Sequence, residues 1–248
     1  HILGGKMHYT KKDKLSITLA YVLIFNGMQI LISFIYLLFF SYKNGLFSGE
    51  EIHESTRIKL QETINVQMFE YRSLIILLSA FIALVFLFYV LKSKLKHDYE
   101  SFKVQGMLKK VFVGSAVLII VNLGASYLFY YFTNSVPINQ QIIEENVASS
   151  PYIALVTIIL LVPILEELFF RKVVLEFLSR WGNISGLIGS TLIFALLHVT
   201  SGDLLSVSLY IIFGLILGFI YIKSDRNVIV PIGVHILSNL ASVIIMMW

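Results

Sequence analysis

The sequence predicts an all-α membrane protein, a polytopic bundle of about seven transmembrane helices within a range of six to eight. Three observations predict this class. Hydrophobic residues make up 57% of the 248-residue chain and charged residues 14%, whereas soluble domains carry roughly 25% charged residues. The mean hydropathy is +0.83. Most charged residues lie between long apolar runs, which excludes a soluble domain and a disordered chain because so much apolar surface cannot remain solvated.

Each predicted helix corresponds to one apolar run. A bilayer core about 30 Å thick requires roughly 20 apolar residues per helix. The runs that meet this requirement are 15–42, 73–91, 111–132, 151–170, 184–200, 204–222 and 228–247. The first run is too long for a cleaved signal sequence and has no small-residue cleavage site. We therefore expect an integral membrane protein surrounded by lipid.

The basic residues predict the orientation of the chain in the membrane. Lysine and arginine concentrate in cytoplasmic loops. Three lysines lie in residues 11–14 and six in residues 92–110, whereas residues 133–150 contain neither lysine nor arginine. The N-terminus is therefore expected in the cytoplasm and the C-terminus outside. Because the net charge of +4 reflects these loops, we expect no nucleic-acid partner.

Composition divides the chain into three parts. Residues 1–6 precede the first methionine, Met7, and are interpreted as a cloning remnant. Residues 7–150 form N-terminal transmembrane helices joined by long polar loops. Residues 151–248 are almost continuous membrane helix with polar residues inside the apolar runs, so the catalytic core is expected in these last four helices. The absence of cysteine excludes disulfides and cysteine nucleophiles.

Two adjacent carboxylates interrupt the fourth apolar run. A lone charge in the middle of a membrane costs at least about 2.5 kcal/mol, so partners are expected. Glu167 and Arg171 are i,i+4 neighbours with the acid on the N-terminal side, the better orientation for a helical ion pair. Glu166 points about 100° away from that pair. Glu167 and Arg171 are predicted to be the supporting pair, which leaves Glu166 for chemistry, although both acids could simply mark a helix end.

Two later helices supply polar partners. His198 ends the fifth run, and His235 and Asn239 lie on one face of the last run at i,i+4. Glu166 lies about as many residues before the turn near 180–183 as His198 lies after it. An antiparallel hairpin would therefore bring these two residues to one height.

A carboxylate and an imidazole at one height can activate a water molecule, and a histidine beside an asparagine can stabilise an oxyanion. Glu166, His198, His235 and Asn239 are therefore the predicted catalytic residues of an acyl-bond hydrolase. The residue types alone also allow Glu166, His198 and His235 to bind zinc with an open fourth position. The absence of an HExxH helix and the presence of Asn239 favour a metal-free site without a cofactor.

The same residues carry a resemblance to a known family. In order, Glu166-Glu167-x-x-x-Arg171, Phe194-x-x-x-His198 and His235-x-x-x-Asn239 resemble the three motifs of the CPBP family. This family comprises CAAX proteases and bacteriocin-processing enzymes related to the type II CAAX prenyl endopeptidases. The resemblance covers residues 150–245 and implies an intramembrane endopeptidase. It implies Glu166 as general base, His198 as the residue that positions the water, His235 and Asn239 as the oxyanion hole, and Glu167 with Arg171 in support.

The sequence is compatible with several substrates and with more than one class of function. The resemblance allows a prenylated C-terminal CAAX peptide, a bacteriocin leader or a signalling peptide as the peptide or protein substrate, and a hydrophobic or leader-bearing peptide is favoured. A transporter using the same polar cluster, or a non-catalytic scaffold or immunity protein, is the alternative to the protease. The usage of Ile, Lys, Phe and Tyr with no cysteine favours a bacterial cell membrane.

Overall fold

The computed structural model describes residues 9–44, 54–199 and 203–246, and these residues form helices with no strand among them. We number the helices α1 (Lys11–Lys43), α2 (Glu54–Val104), α3 (Leu108–Thr133), α4 (Ile138–Ser149), α5 (Pro151–Trp181), α6 (Asn183–His198), α7 (Leu204–Lys223) and α8 (Ile229–Met246). Residues 1–6, which were interpreted as a cloning remnant, and parts of the connections between the apolar runs, at 43–72 and 201–203, lie outside the described residues.

Six of these helices are long and apolar enough to cross a membrane: α1, the Tyr71–Val104 part of α2, α3, α5, α7 and α8. They indicate an integral membrane protein and confirm the predicted all-α membrane class. The fifth predicted span corresponds to α6, which has 16 residues. At 1.5 Å per residue such a helix is about 24 Å long, shorter than the apolar core of a bilayer. Six long helices and one short apolar helix therefore lie within the predicted range of six to eight, and the short helix is the one that the run 184–200 predicted.

The N-terminal helices share one hydrophobic core with the C-terminal helices. Buried residues of α1 and α2, including Ile17 and Leu87, belong to the same cluster as Leu165 and Phe170 of α5. Tyr21 of α1 stacks on Phe169 with ring centroids 4.4 Å apart. Because α5 carries the paired carboxylates, the N-terminal half helps to determine where that helix lies.

Small residues bring α6 close to its neighbours. Gly182, at φ 118°, makes the turn between α5 and α6, a backbone conformation that favours glycine. A Cβ atom at Gly214 of α7 would lie 3.2 Å from Cγ2 of Thr191, and one at Gly218 would lie 2.6 Å from Cδ1 of Leu187. The two glycines, spaced as in a GxxxG motif, therefore allow α7 to pack tightly against α6.

A buried polar cluster joins α5 to the N-terminal helices at the end of the bundle that carries the basic loops. Lys172 Nζ lies 3.3 Å from Asp98 Oδ2 of α2 and donates to the Arg226 carbonyl at 2.7 Å. The Tyr9 hydroxyl donates to Asp98 Oδ2 at 3.1 Å, and burial together with the Asp98 charge raises the pKa of Tyr9. Nearby, Lys14 pairs with Glu176 at 2.6 Å. We call Tyr9, Asp98 and Lys172 the Lys172 cluster.

Candidate active site

The paired carboxylates lie in a short α-helical stretch between two wider turns. Val162–Glu167 is α-helical, whereas Val156–Leu161 before it and Leu168–Leu175 after it are π-helical. Single π-helical turns inside α-helices are frequent at functional sites. Because each π turn changes the angular position of the residues that follow it, α5 turns both Glu166 and Glu167 towards the interior, where 7% and 0% of their surfaces are exposed.

Glu167 is sealed inside the bundle by two partners. Its Oε2 accepts from Arg171 Nε at 2.7 Å and its Oε1 accepts from Arg171 Nη2 at 3.2 Å. Oε1 also lies 3.2 Å from His235 Nδ1 of α8. Arg171 is fully buried. Glu167 therefore links a guanidinium on its own helix to an imidazole on another helix, and it has no exposed surface at which a substrate could bind.

Glu166 faces two imidazoles. Its Oε1 lies 3.4 Å from His198 Nε2, at the end of α6, and its Oε2 lies 3.9 Å from His235 Nε2. The side chain of His198 is 19% exposed and that of Glu166 is 9% exposed. The structure thus brings together Glu166, His198 and His235 from three helices, and the Glu166–His198 side is the more exposed side of this buried group.

Hydrogen bonds behind the two rings determine which nitrogen atoms face Glu166. His198 Nδ1 lies 2.8 Å from the Phe194 carbonyl oxygen, and His235 Nδ1 lies 3.2 Å from the Glu167 carboxylate. Both partners are acceptors, so each Nδ1 carries a hydrogen and donates it. Nε2 of each ring is therefore the atom presented to Glu166. In each ring, the hydrogen bond at Nδ1 fixes the tautomer and the orientation of the histidine.

Asn239 lies one turn from His235 on α8, but its bond goes elsewhere. Its Nδ2 donates to the Ile158 carbonyl oxygen of α5 at 2.9 Å. A carboxamide has two N–H groups, and this bond uses one of them. The helical spacing places Asn239 on the same face as His235, as expected, and its fixed amide is a feature that spacing did not predict.

Aromatic rings that were not predicted as site residues surround the histidines. Tyr210 of α7 stacks on the His198 ring with centroids 4.9 Å apart, and Phe194 packs against the same ring at 4.1 Å. Phe213 meets His235 edge to face at 4.9 Å. The Tyr210 hydroxyl accepts from Asn139 of α4 at 2.8 Å. Only the i+3 spacing of Tyr210 and Phe213 could have marked them, and apolar helices contain many such pairs.

The fit of a zinc ion can be judged from the donors present. Within residues 9–44, 54–199 and 203–246, no group of three or more His, Cys, Asp or Glu side chains is arranged to hold a metal ion. The described side chains therefore form no donor set that fits a zinc ion.

Comparison with known proteins identifies the part of the chain that carries this site. A family model described as type II CAAX prenyl endopeptidase Rce1-like matches residues 148–241. Comparison with curated proteins and with solved structures gives no match. The matched residues include α5, α6 and α7 and most of α8, and therefore every candidate site residue. Residues 148–241 of this chain are an Rce1-like domain of the type II CAAX prenyl endopeptidase (CPBP) family.

Proposed function

We propose that this protein is an intramembrane endopeptidase that hydrolyses a peptide bond with a water molecule activated by Glu166 and His198. Membership of the family implies a CAAX-type intramembrane protease acting on a peptide or protein. The observation that carries the proposal is the approach of His198 Nε2 and His235 Nε2 to the two oxygens of the Glu166 carboxylate, at 3.4 and 3.9 Å. Glu166 acts as the general base.

In the first step a water molecule lies against Glu166 and is oriented by the His198 ring. The water oxygen forms a bond to the carbonyl carbon of the peptide while one of its protons passes to the Glu166 carboxylate. General base catalysis of this kind contributes about 10²–10⁴-fold to the rate. The hydrogen bond from His198 to Phe194 supports the proposal because it holds the ring while the water is positioned.

The second step breaks the tetrahedral intermediate. The oxyanion accepts hydrogen bonds from His235 Nε2 and from the second N–H of Asn239, and a single such donor is worth about 10²–10³-fold. Because His235 Nδ1 is bonded to Glu167, donation from Nε2 requires the doubly protonated ring, whose charge the Glu167 carboxylate stabilises. The carbon–nitrogen bond then breaks, and the leaving amine takes the proton from Glu166.

The substrate class follows from the surroundings of the site. Phe194, Tyr210 and Phe213 lie around the histidines, and the neighbouring helices α5, α7 and α8 are apolar and long enough to cross a membrane. We propose a hydrophobic, lipidated or leader-bearing peptide as the substrate. A bacterial cell membrane with the N-terminus of the chain in the cytoplasm is the proposed location.

The test is cleavage of a peptide set by purified protein in detergent. The set contains hydrophobic, prenylated C-terminal and leader-bearing peptides, and the products are identified by mass spectrometry. Wild-type protein is compared with Glu166→Ala and His198→Ala, and with Glu145→Ala as a control that removes an exposed carboxylate of α4. We expect cleavage by wild type and the control, and a loss of at least about 100-fold in the two site variants.

Three outcomes would contradict the proposal. Undiminished cleavage by Glu166→Ala would remove its general base. Complete inhibition by a chelator that zinc reverses would replace the metal-free mechanism with a metal-dependent one. A substrate-dependent proton flux in proteoliposomes, with no cleavage of any peptide, would identify a transporter.

A further inference from the structure

The hydrogen-bond ladder of α5 is interrupted just before the carboxylates. In the π-helical stretch Val156–Leu161, carbonyls bond to the N–H five residues later, and this pattern continues to Val162, whose N–H donates to Thr157. The next carbonyl in the series is that of Ile158, and its donor would be residue 163. Residue 163 is proline, which has no N–H. The Ile158 carbonyl thus has no donor in this series.

Asn239 supplies the missing donor from another helix. Its Nδ2 lies 2.9 Å from the Ile158 oxygen, so a carboxamide of α8 completes the ladder that Pro163 leaves open. A carbonyl inside a membrane bundle has no water to bond instead, and an unsatisfied one is costly. The amide side chain of Asn239 therefore bonds to a carbonyl that Pro163 leaves without a backbone donor.

This bond lies close to the catalytic groups on both helices. Pro163 is three residues before Glu166, and Asn239 is one turn after His235. The two helices run in opposite directions, since the Ile158–Asn239 bond is paired with the Glu167–His235 bond. Two bonds one turn apart on α8 fix both its rotation and its height against α5. Without the first bond, α8 can rotate about the second.

We propose that Asn239 is a positioning residue that completes the α5 ladder at Pro163 and thereby holds His235 in register with Glu166. Its consequence for catalysis rests on the proposed function. The bond to Ile158 also orients the second N–H of Asn239, so the positioning role is compatible with donation to an oxyanion. The positioning role predicts that Asn239→Ala lowers stability and kcat mainly when residue 163 is proline.

A double-mutant cycle tests this dependence. Pro163→Ala returns an N–H that can donate to the Ile158 carbonyl, so Asn239→Ala is made in the wild-type and in the Pro163→Ala background. In the wild-type background we expect Asn239→Ala to lower the midpoint of thermal unfolding by about 2–6 °C and to lower kcat more than it changes KM. In the Pro163→Ala background we expect less than half of each effect.

Asn139→Ala serves as the matched control. This residue is also an asparagine that donates to another helix, since its Nδ2 is bonded to the Tyr210 hydroxyl, but it has no connection with the α5 ladder. Its effect on the unfolding midpoint should be the same in the wild-type and in the Pro163→Ala background, because distant independent sites are additive.

The outcomes separate this proposal from the proposed function. Equal effects of Asn239→Ala in both backgrounds, on the midpoint and on kcat, would overturn the positioning role and leave Asn239 as a direct donor only. If no peptide is cleaved by any variant, the proposed function fails, while the unfolding midpoints still decide whether Asn239 serves the ladder at Pro163.

Discussion

Two neighbouring glutamates have opposite environments in this protein. Glu167 bonds to Arg171 and His235 with no exposed surface, whereas Glu166 faces two Nε2 atoms and remains partly accessible. The difference arises because successive residues on a helix point about 100° apart. Glu167 therefore joins α5 to α8 through its bond to His235, whereas Glu166 is the carboxylate that the proposed mechanism uses.

The same amide substitution at these two positions should separate the two roles. Glu166→Gln should reduce cleavage by at least about 100-fold, since it removes the proposed base, with little change in unfolding. Glu167→Gln should cost about 3–5 kcal/mol of stability, because it leaves the charge of Arg171 buried without a carboxylate. Cleavage rates and thermal unfolding are measured for both variants in the same detergent. Similar losses of stability in both variants would contradict the division of roles.

For single residues, spacing along the sequence predicted those contacts that follow from the period of an α-helix. The i,i+4 relation of Glu167 to Arg171, and the equal distance of Glu166 and His198 from one turn, needed only the period of an α-helix. The bond from Asn239 to Ile158 could not be predicted in this way, because it depends on a π-helical turn that shifts the ladder by one residue. Nor does periodicity tell which of several apolar helices brings Tyr210 onto His198.

Among the helices, α5 and α6 form the hairpin that brings Glu166 to His198. They come close together at Gly186, where an added Cβ atom would lie 2.8 Å from the Leu175 carbonyl oxygen and 3.0 Å from the Ser179 nitrogen. The Ser179 hydroxyl oxygen lies nearer still, and the two backbone atoms of α5 cannot move aside as a side chain can. The two helices can therefore come this close only because residue 186 has no side chain.

Gly186→Ala should push α6 away from α5. We expect a loss of about 1–3 kcal/mol in stability and reduced cleavage, because His198 moves from Glu166. Gly124→Ala is the control, since a Cβ at Gly124 of α3 has no atom within 4 Å and alanine is the better helix former by up to about 1 kcal/mol. Thermal unfolding and cleavage are compared for both. Unchanged stability and activity in Gly186→Ala would show that the hairpin tolerates a wider spacing.

Helix existence was predicted better than helix length. Apolar runs of about 20 residues identified the six long helices, because hydropathy averages over the whole run. The run 184–200 also matches the short helix α6 within two residues, with His198 at its end. The two π-helical turns of α5 were not predicted, because hydropathy does not report the hydrogen-bond pattern of a helix.

The molecule as a whole joins a family domain to N-terminal helices that the family model does not match. The Lys172 cluster makes this connection through a buried ion pair between α5 and α2 and a hydrogen bond from Tyr9. The shared hydrophobic core adds to it. The N-terminal helices therefore support the helix that carries both glutamates.

Lys172→Met should destabilise the whole protein. It leaves the Asp98 carboxylate buried without its ammonium partner, and removing one member of a buried pair costs about 3–5 kcal/mol. Lys103→Met removes an exposed lysine of the same helix as Asp98 and should change stability by no more than about 0.5 kcal/mol. Thermal unfolding distinguishes the two. Equal stability of the two variants would contradict a supporting role for the cluster.

The orientation in the membrane can be tested because the chain contains no cysteine. Gln105→Cys lies at the exposed turn between α2 and α3, and Ser135→Cys at the exposed turn after α3. From the distribution of lysines we expect a membrane-impermeant thiol reagent to label Ser135→Cys in intact cells and Gln105→Cys only after the membrane is opened. The reverse pattern would contradict the proposed orientation.

In the proposed mechanism Glu166 activates a water molecule for peptide hydrolysis. The most direct measurement is single-turnover cleavage of a hydrophobic peptide in ¹⁸O-labelled water, followed by mass spectrometry, with wild type and Glu166→Gln side by side. We expect one ¹⁸O atom in the new C-terminal carboxylate of the product from wild type, and product formation at least about 100-fold slower with Glu166→Gln. Labelled product formed at the same rate by both proteins would contradict this mechanism.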